Sequence, residues 1–142
     1  MAKSEVIFED YTIKVQNAID DKINAELAGV SGELVAAVVR NYDTFPRVDT
    51  GKTKNSFKYK VVESEHTSHI GSDYENAIWE EFGTGDYALE GNGRKGGWAY
   101  EDPETGERIW THGKRPGRHF WKAYNSMKNK IIKRFQEAFK GL

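Results

Sequence analysis

Asp49-Thr50-Gly51 is the stretch of this sequence with the most direct claim to chemistry. Acid proteolysis uses two such strings, with their carboxylates about 3 Å apart and sharing one proton. A dimer of this chain could supply both. The flanks argue otherwise. An acid-protease loop follows an apolar strand, whereas Phe45-Pro46-Arg47 precedes here and Lys52-Thr53-Lys54 follows. The surrounding pattern is helical rather than all strand. The better reading is architectural: Asp49 or Thr50 caps a short helix that holds Asn55-Ser56 ahead of a strand.

Other strings fail on the same test of context. Gly51-Lys52-Thr53 ends like a phosphate loop, but that pattern needs a preceding strand and a glycine where Pro46 stands. Gly91-Asn92-Gly93-Arg94-Lys95-Gly96 spells the dinucleotide-binding glycine pattern without a strand before it or a helix after it. His66 and His69 lie three apart across a predicted turn, and zinc would need two more ligands held beside them. His112 and His119 flank a later turn and could serve only by chance of the fold. Glu80 and Glu81 could form an acid–base pair, yet neighbours on a helix point about 100° apart. One exposed acid and one acid facing the core is the expectation. No enzymatic activity, metal or cofactor is expected.

Charge is divided along the chain. Residues 1–112 hold 12 Lys or Arg against 21 Asp or Glu, a balance of −9. Residues 113–142 hold 9 Lys or Arg against one acid, Glu137, a balance of +8. Such asymmetry suggests an electrostatic partner for the basic end, either nucleic acid or the acidic part of a neighbouring copy. The plainer alternative is a solvated basic helix face over an acidic domain, since exposed ion pairs are individually weak. Nucleic-acid surfaces usually combine Lys or Arg with stacking aromatics. Here Phe120, Tyr124, Met127, Ile131, Phe135 and Ala138 form one stripe, and Lys122, Lys130, Lys133 and Lys140 lie opposite. That arrangement favours phosphate attraction or subunit contact over base recognition.

Few elements are available to position these residues. A chain of 142 residues fits one domain, and 37% hydrophobic against 30% charged limits it to a modest core. The absence of cysteine excludes disulfide and thiolate chemistry. No run of about 18 apolar residues occurs, so no membrane association is expected. Met1-Ala2-Lys3-Ser4-Glu5 opens no apolar signal region, and synthesis in the cytosol is expected.

Residues 4–8 fit a short strand. Residues 10–44 read as helix, with Tyr11, Val15, Ala18, Ile19, Ile23, Leu27, Val30, Leu34, Val38 and Tyr42 at spacings of three or four. Gly29 and Ser31-Gly32 mark a kink or a break in it. Phe57–Val62 and Thr67–Ile70 read as two strands around Ser64-Glu65-His66. Glu75–Phe82 reads as one or two helical turns, with Ala77, Ile78, Glu81 and Phe82 at helical spacing and Gly83 as the stop. Six glycines in residues 83–97 predict a long flexible loop. Trp98–Glu101 and Arg108–Thr111 flank a Pro- and Gly-containing turn and predict a hairpin, with Trp98, Tyr100 and Trp110 at period two. A last helix is expected from about Pro116-Gly117 to Lys140. The fold class is α+β: an antiparallel sheet of about four strands, packed with a long N-terminal helix and a C-terminal helix.

Three segments carry a further signal. They are Val48-Asp49-Thr50-Gly51 with Asn55-Ser56, then Tyr74–Thr84, then Gly113–Phe120. Together they resemble the tail-component family of long-tailed bacteriophages, small proteins of the head–tail connector region. That family's pattern runs V-D-T-G and then N/R-S, later Y-A and E-F-G-T, later a Pro-rich turn into a final helix. The matching positions are Asp49, Thr50, Gly51, Ser56, Tyr74, Ala77, Glu81, Phe82, Gly83, Thr84 and Pro116. The resemblance covers residues 48–124. It departs in the third segment, where Arg118-His119-Phe120 replaces a second proline and an aliphatic residue.

The resemblance implies a structural virion protein of the neck, tail-completion or tail-terminator ring, six copies being the expected number. Its partners would be copies of itself and other connector and tail-tube proteins, with non-specific contact to passing DNA. Its place would be the head–tail junction of the virion, after synthesis in the bacterial host cytoplasm. The opposite charges suit head-to-tail contacts that close into rings. Arg94, Lys95, Lys122, Lys130 and Lys133 are the candidate interface or DNA-facing residues. The alternative function is a nucleic-acid-binding module that uses the basic C-terminal helix.

Overall fold

The computed structural model describes residues 12–45 and 50–140. Residues 4–8 and Asp49 lie outside that range, so the expected first strand and the Asp49 cap have no structural description. Nor does the side chain of Thr50.

Helix α1 runs Thr12–Thr44 as one element. The expected break at Gly29 and Ser31-Gly32 does not occur. Tertiary contacts there offset the weak helix propensity, as they do for most protein helices. Ser31 is fully buried, and its Oγ lies 2.5 Å from Ser68 Oγ. Gly29 lets Arg134 cross closely: a Cβ there would stand 2.6 Å from Arg134 Nη2. Arg134 Nε donates to Glu26 at 2.7 Å and Nη1 donates to Glu33 at 2.6 Å, so one guanidinium joins two turns of α1.

After α2 (Thr50–Asn55), strands β1 (Phe57–Val62) and β2 (Thr67–Ser72) form an antiparallel hairpin with Phe57 opposite Ser72 and Val62 opposite Thr67. Helix α3 spans Glu75–Phe82. A second hairpin pairs β3 (Trp98–Glu101) with β4 (Arg108–Thr111). Helix α4 spans His119–Ala138. The α+β class and both flanking helices are therefore present. Among the described residues, the four strands form two separate two-stranded sheets rather than one. The long segment between β2 and β3 carries the chain away, so the second hairpin never reaches the edge of the first.

Core packing follows the α1 periodicity. Leu34, Ala37, Val38 and Tyr42 are buried with Ala123 of α4, and Phe57, Ile70, Phe120 and Met127 pack against them. The stripe expected on α4 is present at Phe120, Met127, Ile131, Phe135 and Ala138, all partly buried, with Ala123 added to it and Tyr124 half exposed instead. The ring of Tyr42 lies at the first turn of α4. It meets His119 edge-on at 4.3 Å and shares the buried cluster with Ala123. Among the described residues, no helix is long and apolar enough to cross a membrane.

Candidate functional site

The second and third marked segments meet. Glu80 and Glu81 are both buried, at 1% and 8% exposure. One exposed acid was the expectation from their 100° separation. The reason for the difference is that residues 113–121 wrap the end of α3 and cover both directions. Glu80 Oε1 takes a hydrogen bond from Lys114 Nζ, and the Glu80 backbone carbonyl accepts the Gly117 N–H at 2.7 Å. The Glu81 carboxylate turns to the start of α4. It accepts the backbone N–H groups of Phe120 at 3.0 Å and Trp121 at 2.9 Å. Those are among the amides that a helix cannot satisfy internally, and its first turn favours negative charge. Arg118 occupies the cap position itself with left-handed backbone at φ 58°, and its guanidinium lies 3.8 Å from Glu81.

Gly83 and Thr84 complete this clasp. Gly83 has φ +77°, and a Cβ there would sit 2.8 Å from Lys114 O and 2.9 Å from Pro116 Cδ. Thr84 N–H donates to Lys114 O at 2.9 Å, and Lys114 N–H donates to Thr84 Oγ1 at 2.8 Å. The inward face of α3 is thus Ala77, Glu80 and Glu81, while Ile78 and Phe82 face outward. Pairing with residues 112–114 also pins the start of the glycine-rich segment. Asp86 N–H donates to His112 O at 2.8 Å, and Asp86 Oδ1 accepts the Gly96 N–H at 3.1 Å. Residues 85–87 form a 3₁₀ turn where a flexible loop was expected.

The first marked segment joins through hydroxyls. Ser56 Oγ donates to Thr53 O and meets Ser72 Oγ, both at 2.5 Å. Ser72 Oγ accepts the Tyr74 N–H at 3.0 Å, so Ser56 and Tyr74 stand on one chain of contacts. Lys52 Nζ lies over the Tyr74 ring at 4.8 Å.

The histidines lie in separate surroundings. His66 Nε2 is 3.1 Å from Asp20 and His112 Nδ1 is 2.9 Å from Asp86, while His69 is exposed on β2 and His119 is buried beside Tyr42. The hydrogen bond from His112, with the Gly96 N–H second, holds the Asp86 carboxyl below its ordinary pKa.

An apolar groove of about 340 Å³ opens beside the clasp, between β2, α3 and α4. Phe57, Ile70, Ile78, Phe82, Trp121 and Tyr124 line it. Ile78 is 58% exposed, and Trp121 and Tyr124 are each 48% exposed. Sequence periodicity assigned Ile78 and Phe82 to the buried face and left Trp121 unassigned. Only the three-dimensional meeting of α3 and α4 makes them one surface. The candidate contact residues Arg94, Lys95, Lys122, Lys130 and Lys133 are all exposed. Arg94 lies over the Trp98 ring at 5.5 Å, and Lys122 over Phe45 at 5.8 Å. No protein family, curated protein or solved structure matches this chain.

Proposed function

We propose that the chain is a structural virion protein of a phage head–tail connector. It forms part of the neck, tail-completion or tail-terminator ring that joins capsid and tail. The observation that carries this reading is the clasp. Two of the three segments on which the resemblance rests, 74–84 and 113–120, hold each other. The carboxylate of Glu81 serves there as a helix cap. A motif used in this way fixes architecture rather than chemistry, and it sets an exposed apolar surface beside it for a partner. The chain works without enzymatic activity or cofactor. It assembles as a ring, six copies being the expected number, and contacts other connector and tail-tube proteins at the head–tail junction. Mass measurement in solution together with electron micrographs tests this. Closed rings of uniform copy number support it, and a strict monomer at high concentration overturns it.

One observation favours a second reading. Trp121 and Tyr124 are half exposed beside Lys122, so aromatics do accompany cations on α4. A nucleic-acid-binding module on this helix would then stack bases as well as attract phosphates. Salt titration of binding to random duplex DNA separates the readings. A steep slope and sub-micromolar affinity at physiological salt would favour the module.

A further inference from the structure

Trp79 of α3 lines three adjoining cavities. The middle one, about 530 Å³, lies between α3 and the β3–β4 hairpin. It shares Asn76 with a cavity of about 700 Å³ at the start of α3. It shares Thr84 and Trp98 with one of about 490 Å³ beside the glycine-rich segment. All three volumes fall in the range of small-molecule sites, about 300–1,000 Å³. Together they form one trough, with Trp79, 46% exposed, as the wall common to every part.

Strand pairing aims the other aromatics. Trp98 and Tyr100 are two apart on β3 and share a face, and Thr111 stands opposite Trp98 on that face. All three line the middle cavity. The wall between α3 and the hairpin is fixed by the clasp. Thr84 and Lys114 exchange two hydrogen bonds across it, and a Cβ at Gly113 would clash with the Thr84 carbonyl. The polar groups of the trough keep capacity to bind. Asn76 Nδ2 donates to Thr53 Oγ1 at 3.4 Å, which leaves Asn76 Oδ1 as an acceptor. The Thr84 hydroxyl accepts the Lys114 N–H and still has its own proton to donate.

Exposed rings beside amide and hydroxyl groups suit a ligand with apolar faces and polar edges. A sugar ring is such a ligand: its C–H face lies on the negative face of an aromatic ring, and its hydroxyls need donors and acceptors. A nucleic acid base would stack equally well, but it brings a phosphate with each residue and calls for a surplus of cations. The trough has none. Lys52, Arg94 and Lys114 are matched by Glu75, Glu90 and Glu104, and Lys114 is engaged by Glu80. We propose that this trough binds an uncharged oligosaccharide, its rings stacked on Trp79, Trp98 and Tyr100 and its hydroxyls held by Asn76 and Thr84. The site lies within one chain and does not depend on ring assembly.

The test screens the full chain on an array of uncharged oligosaccharides, short hexose and N-acetylhexosamine chains, and titrates the binders by tryptophan fluorescence. Octathymidylate is the charged probe. At least one oligosaccharide is expected to bind with Kd below about 1 mM, with little difference between low and high salt. Trp79→Ala and Tyr100→Ala should each weaken it at least about tenfold. Both side chains are half exposed, so circular dichroism should show both variants folded. Trp110→Ala is the control, because Trp110 is 63% exposed on the other face of the hairpin, and it should bind as the full chain does. If no oligosaccharide on the array binds, the proposal is overturned. Binding that survives both Trp79→Ala and Tyr100→Ala, or that is lost equally in Trp110→Ala, overturns the site. Octathymidylate bound in preference to every oligosaccharide, with a steep salt slope, would make the trough a single-strand platform and overturn the glycan assignment.

Discussion

The Glu81 carboxylate accepts the backbone N–H of Trp121 at 2.9 Å, across 40 positions of sequence. A side chain of one helix thus caps another. Glu81→Ala removes an acceptor from two first-turn amides at a buried site. A loss of about 1–2 kcal/mol is expected from capping energetics. Urea denaturation measures it, and an unchanged midpoint would mean that water caps α4 equally well.

Two glycines of the marked segments should respond oppositely to alanine. At Gly83 the positive φ and the nearby Lys114 carbonyl leave no room, and Gly83→Ala should cost more than about 1 kcal/mol. Gly51 is exposed within α2 and a Cβ there meets nothing within 4 Å. Gly51→Ala should be neutral or stabilise the isolated chain by about 0.5–1 kcal/mol through helix propensity. Thermal melting of the two variants side by side decides.

The Asp86 link gives a pH dependence of definite sign. The hydrogen bond from His112 and then that from the Gly96 amide lower its pKa in the folded chain. Its contribution is complete above the ordinary aspartate value of about 3.9 and disappears as pH falls through the lower folded value. Exchange of the Gly96 amide, corrected for intrinsic rate, should accelerate over that acid window. In Asp86→Ala it should be fast throughout.

Reversing Lys122, Lys130 and Lys133 to Glu should leave the isolated fold intact, since all three are exposed and Lys122 lies over the exposed Phe45 ring. Assembly should weaken, most visibly at low salt, where a field of several charges steers association. Normal assembly at both low and high salt would reduce the charge division to surface solvation.

Periodicity made α1 and α4 legible, and alternation with turn residues made the two hairpins legible. The limits came from contacts at long range. Gly29 read as a helix breaker because Arg134, more than 100 positions away, is what occupies the space it leaves. Ser31 lowered the helical reading for the same reason, its partner being Ser68. Glu80 and Glu81 read as one wet and one dry because the wrapping of residues 113–121 has no local signature. The β3–β4 register was equally hidden. Trp110 stands opposite Ala99, so it lies on the other face of the hairpin from Trp98 and Tyr100.

The pairing of Arg134 with Glu26 spans 108 positions, and that with Glu33 spans 101. During translation at roughly 5–20 residues per second, α1 waits on the order of 5–20 s for the helix that covers it. Its apolar stripe is a hazard throughout that interval. Completion of the core is therefore a post-translational event, and α1 is the segment a chaperone would meet first.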